Sequence, residues 1–120
     1  MAGTLELREA AMWGPAGWVF DLVLERITSE LANSELARML REARTEGGSG
    51  YCDLRALVAD QFGELLDAAE RAFEFTERES PTVFERPEFH RGFVDRFRDL
   101  IMLMRADPRA PASRNGLGST

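Results

Sequence analysis

The chain has 120 residues, a net charge of −6 and a pI near 4.8, enough for one domain with one hydrophobic core and too little for two. The negative balance argues against a duplex-binding surface, which needs a basic stripe to neutralise phosphates, and favours a basic partner. Met1 to Trp13 lacks a basic n-region and no apolar run reaches the roughly 20 residues of a membrane span, so the expected location is the cytoplasm.

In chain order, Thr4 to Met12 is open in type; a short helix capped by Thr4 and ended at Gly14-Pro15 fits it. Pro15 suits a first helical turn, and Trp18 to Leu31 carries Trp18, Val19, Phe20, Leu22, Val23, Leu24, Ile27 and Leu31 around much of a helical circumference. Such a helix is buried on several sides or forms part of a subunit interface; a strand over Trp18 to Leu24 lacks the period-two alternation. Asn33 or Ser34 caps a helix from about Glu35 to Arg44, with Leu36, Met39 and Leu40 inward. Gly47, Gly48, Ser49 and Gly50 stop it. This loop lacks the Lys-Ser/Thr ending of a P-loop and reads as a flexible connection.

The strongest periodicity lies between Asp53 and Arg78. At about 100° per residue, Leu54, Val58, Phe62, Leu65, Leu66, Ala69, Ala72 and Phe73 share one side, while Asp53, Asp60, Glu64, Asp67 and Glu74 share the other. One long helix capped by Asp53 is predicted, laid on a core with carboxylates outward. After Ser80-Pro81, a last helix runs from Pro87 to Arg105 with Phe89, Phe93, Phe97, Leu100, Ile101 and Met104 at helical spacing. The fold class expected is all-α, a compact bundle of four to five helices in a single domain over 1–107, with a flexible tail over 108–120.

Residues 51–80 hold eight acids and three arginines, so most of the net charge is concentrated there. Asp67 with Arg71 and Glu74 with Arg78 have the favourable acid-first spacing, whereas Asp60 and Glu64 lack such partners. Asp60, Glu64, Asp67, Glu70 and Glu74 are therefore the candidate docking residues for a protein with a basic surface. A divalent cation on Asp60, Glu64 and Asp67 is disfavoured, because carboxylate di-metal bundles use paired Glu-x-x-His motifs and the chain has one histidine. One cysteine and one histidine also fall short of a zinc set, so no metal or cofactor is expected.

Every basic residue is arginine, which suits bidentate pairing but follows equally from a GC-rich coding sequence. Arg91, Arg98 and Arg105 form a stripe on the last helix, candidate anion contacts for which pairing with the acidic helix is the simpler use. Trp18, Met102 and Leu103 extend the apolar surface beyond one core face and mark a candidate interface for a partner or a second copy. Cys52 cannot form an internal disulfide, and its expected place at a helix N-terminus is offset by Asp53. With His90 it lacks any local catalytic signature.

These features predict a non-enzymatic protein-binding domain, an inhibitor or regulator that docks an acidic helix on a basic protein. An immunity or antitoxin protein, or a phage inhibitor of a host nuclease complex, has this size, charge and helicity, though no family motif is present. The first alternative is a ligand-binding helical homodimer with a pocket at Trp18, Phe62 and Phe97. The second is an enzyme using Cys52 and His90.

Overall fold

The computed structural model describes residues 2–111. It corrects the all-α expectation: four helices pack with a three-stranded mixed sheet. Strands β1 (Thr4–Arg8) and β2 (Ala11–Trp13) form an antiparallel hairpin, and β3 (Tyr51–Asp53) adds parallel to β1, giving the order β2-β1-β3. The helices are α1 (Gly17–Glu30), α2 (Ser34–Glu42), α3 (Ala59–Arg78) and α4 (Pro87–Arg105), with a single 3₁₀ turn at Pro81–Val83.

The opening segment is a hairpin because Leu5 and Leu7 are buried while Thr4, Glu6 and Arg8 are only partly so, the alternation of a one-sided strand. Leu and Glu are helix formers, and burial overrides that local preference. The hairpin closes with Ala10 at φ 66°, in the left-handed region. Replacing Ala10 with glycine removes the Cβ clash there, and should raise stability by about 0.5–1 kcal/mol in a denaturant titration.

The long helix is shorter than predicted. Tyr51–Asp53 is a strand, Leu54 enters the core from a turn, and Val58, 61% exposed, precedes α3 instead of lying on its buried face. Asp53 is no cap: its carboxylate binds the Arg55 N–H and guanidinium, while Gln61 accepts the Val58 N–H at 3.1 Å to open the helix. Asn33 caps α2 as expected, accepting from the N–H groups of Glu35 and Leu36, and α4 has the predicted bounds.

The core gathers Leu5, Leu7 and Trp13 of the sheet with Phe20 and Leu24 of α1, Phe62 and Leu66 of α3, and Phe93 and Phe97 of α4. The glycine-rich loop is a tight turn, not a loose connection: Ser49 N–H donates to Glu42 O and Gly50 N–H to Arg44 O. A Cβ on Gly48 would stand 2.4 Å from Glu42 O. Asp21 pins the loop by accepting from Thr45 N, Thr45 Oγ1 and Glu46 N. Burial works to raise the Asp21 carboxyl, and these hydrogen bonds, with Arg44 nearby, outweigh it and hold it below the usual range.

Residues 108–111 of the expected tail lie against the body, where Arg109 donates to the carbonyls of Leu7, Leu54 and Leu57. Residues 112–120 of that tail lie outside the described residues.

Candidate functional site

The carboxylates of α3 divide into two groups. Asp60, Glu64, Asp67 and Glu74 follow one outward stripe, as a three- and four-residue spacing dictates. Asp60 is exposed and makes no ion pair among the described residues, and Glu64 is exposed with Asn33 Nδ2 3.4 Å away. Asp67 pairs with Arg71, which also reaches Glu30 Oε1 at 3.2 Å and Glu30 O at 2.8 Å. Glu74 meets Arg78 at 3.6 Å in a largely exposed pair. Glu70 turns instead toward α4: it is 8% exposed and accepts from Arg105 Nε at 2.7 Å. The free end of the stripe is therefore its N-terminal half, at Asp60 and Glu64.

The arginine stripe of α4 is largely spent inside the molecule. Arg98 bonds Asp95 at 3.0 Å and Glu77 at 3.3 Å, and Arg105 holds Glu70. Arg91 is exposed on the first turns of the helix. Among the described residues no group of three or more His, Cys, Asp or Glu side chains converges as metal ligands, and no helix is long and apolar enough to cross a membrane.

Trp18, Met102 and Leu103 come together. They line an open groove of about 1070 Å³ between the β2–α1 corner and one face of α4, with Met12 also on its wall. Met12, Trp18 and Met102 are 59%, 50% and 61% exposed, a concentration of large apolar side chains of the kind that anchors protein interfaces. Trp18 is held by rings on its inner side, stacking on Phe93 at 6.0 Å with Phe84 and Phe89 at 6.2 and 6.4 Å. On its far side a smaller groove of about 600 Å³ is lined by Trp18, Leu22, Val83, Phe84 and Phe89. The ligand pocket expected at Trp18, Phe62 and Phe97 does not form, since Phe62 and Phe97 are fully buried in the core and line neither groove.

Cys52 and His90 occupy separate surroundings. Cys52 is buried on β3 beside a recess with Met39, Ala43 and Tyr51, and burial, helped by Asp53, pushes its thiol up to about 12. A thiol at that value is a poor nucleophile. His90, on the first turn of α4, sets Nε2 2.9 Å from Thr76 O, so that nitrogen carries the proton. Met12 was the residue that sequence reasoning passed over. Its signal was the period-two pattern of Leu5, Leu7, Ala11 and Trp13, which makes Met12 the outward residue of an edge strand.

Neither a protein family nor a curated protein matches this chain. Among solved structures it is similar to a chain of the CdiA-CT toxin from Burkholderia pseudomallei E479 in complex with cognate CdiI immunity protein. The identity is 18%, the TM-score 0.70, and the match covers 92% of this chain and 100% of that one. At that identity the likeness establishes fold alone, and this chain shares its architecture with a chain of that complex.

Proposed function

We propose that this protein is a non-enzymatic protein-binding domain that docks the outward stripe of α3 on a basic surface of another protein and thereby inhibits it, in the manner of an immunity protein. The observation that carries this reading is the pair Asp60 and Glu64, exposed at the N-terminal half of α3 and left without an ion-pair partner among the described residues. A net charge of −6 makes the molecule as a whole attractive to a basic protein, and charge complementarity of this kind speeds encounter and selects partners. The chain whose fold it shares comes from a complex of a toxin with its immunity protein. The same reading places it in the cytoplasm, where a single buried thiol stays reduced.

The test is reversal of both charges, Asp60→Arg with Glu64→Arg, followed by binding kinetics against a protein captured by the unaltered chain. Association should slow about tenfold at low salt, and the difference should shrink as salt rises. Equal rates at every salt concentration would remove α3 as the docking face.

A further inference from the structure

We infer that the open edge of β2 and the groove beside it take an extended polypeptide segment from a partner protein as a fourth strand. The inference rests on the protein-binding reading only in that its occupant is a polypeptide; the α3 stripe has no part in it.

The backbone register sets the geometry. On β1, Thr4 N–H donates to Gly50 O at 2.9 Å and Glu6 O accepts from Leu54 N–H at 2.8 Å, so these residues turn their main-chain groups toward β3. The intervening residues turn theirs toward β2, as the bond from Gly3 N–H to Pro15 O at 3.3 Å shows. With Leu5 opposite Trp13 and Glu6 opposite Met12, Trp13 is the bonded partner, and Met12 and Gly14 direct N–H and C=O away from β1. No other element pairs with that edge in the sheet, and outside the sheet's own ladder no main-chain hydrogen bond reaches Met12 or Gly14 among the described residues. Exposed donors and acceptors in a row are a template for one more strand.

The groove has the dimensions and chemistry for it. Its helical wall runs along α4 from Gly92 to Leu103, about 16 Å at the helical rise, the length of roughly five residues of strand. Its apolar anchors are Met12, Trp18 and Met102, and Gly92 leaves a notch where an added Cβ would meet nothing within 4 Å. Asp95 and Asp99 stand on the α4 wall, paired with Arg98 and Arg96 of the same helix. An occupant with apolar residues facing the groove fits these anchors, and basic residues at its ends fit the negative charge of the molecule. A second copy pairing through the same edge is disfavoured by its like charge, since each molecule carries −6.

The probe is a synthetic heptapeptide, acetyl-Lys-Val-Thr-Val-Thr-Val-Lys-amide, titrated into the full chain. The Met12 and Gly14 amides should exchange with solvent about tenfold more slowly at saturation, and the indole resonance of Trp18 should shift. Met12→Pro removes one outward N–H at a position where an edge strand accepts proline, and should weaken binding about tenfold while the melting temperature stays put. If that variant does not fold, the peptide N-methylated at its three central residues replaces it and should not bind. No shift at Trp18 with millimolar peptide, or equal binding by the N-methylated peptide, would overturn the proposal. Concentration-dependent protection of Met12 and Gly14 without peptide would overturn it in favour of a second copy. None of these readouts responds to Asp60 or Glu64, so either reading can fall alone.

Discussion

Replacing Arg109 with alanine is expected to lower the free energy of unfolding by about 3–5 kcal/mol, seen as a lower urea midpoint at unchanged slope. One guanidinium closes the structure from beyond the last helix. Nη1 donates to Leu54 O at 2.7 Å and Leu57 O at 2.9 Å, Nη2 to Leu7 O at 2.5 Å, and Nε to Asp107 Oδ1 at 2.9 Å. The group also stands 4.3 Å from the centre of the Phe62 ring. It therefore supplies donors to carbonyls of β1 and of the turn before α3, adding at Leu54 O to the bond from Leu57 N–H at 3.2 Å. Lysine keeps the charge but lacks the fork, so Arg109→Lys should recover only part of the loss. Truncation after Asp107 should cost as much as the alanine substitution.

The same clamp gives a pH dependence with a definite sign. Asp107 is almost wholly buried between Arg8 and Arg109. Burial works to raise its carboxyl, but hydrogen bonds from the Arg109 side chain and backbone, with the Arg109 and Arg8 charges, hold it below the usual range. A folded value below the unfolded one, about 3.9, means the contribution is complete above that value and is lost as pH falls through the lowered one. Asp107→Asn should thus lower stability at pH 7 and reduce its fall below about pH 4. An unchanged acid limb would show that Asp107 titrates alike in both states.

The helices were legible in the sequence where periodicity was long, and the sheet was not because its strands are short. Pro87–Arg105 was set by a proline at the first turn and a phenylalanine repeat, both local signals. Tyr51–Asp53 spans three residues and is a strand only because β1, far away in sequence, pairs with it. Nothing within Asp53 to Val58 announces that the helix has not yet begun, since Leu54 keeps the apolar spacing while occupying a turn. The acidic stripe was readable from spacing alone. That Glu70 leaves it for Arg105 was not, because one helical face shades into the next within a single residue and only the position of α4 decides. Trp18, Met102 and Leu103 are legible as surplus apolar surface, but their convergence on the edge of β2 depends on a hairpin in a segment whose type the sequence leaves open.

Removing the Glu79 carboxylate, Glu79→Ala, should cost about 3–5 kcal/mol, comparable to the loss at Arg109. Arg26 Nη1 donates to Glu79 Oε2 at 2.6 Å and to Thr76 Oγ1 at 2.9 Å. Both partners are largely buried, with Arg26 among the rings of Phe75, Phe84 and Phe93 at 5.3 to 5.9 Å. His90 Nε2 lies 3.6 Å from the same carboxylate oxygen and, through its bond to Thr76 O, ties the start of α4 to the end of α3. Deleting the acid leaves a guanidinium in apolar surroundings with one hydroxyl, whereas deleting both charges leaves none. The double variant Arg26→Met with Glu79→Ala should therefore be more stable than the sum of the single losses implies, by about 1–3 kcal/mol in a double-mutant cycle. Additive losses would mean that the two side chains do not act as a unit. Phe84 links this network to the surface, since its ring packs on His90, Phe93 and Trp18. Loss of Glu79 should accordingly loosen the wall behind Trp18 and shift its fluorescence to the red, while Trp13, buried and bonded through Nε1 to Arg96 O at 2.9 Å, is unaffected. Because Trp18 stands between the two grooves, a stability defect at Glu79 should also appear as weaker binding of an extended peptide, even though Glu79 lines neither groove.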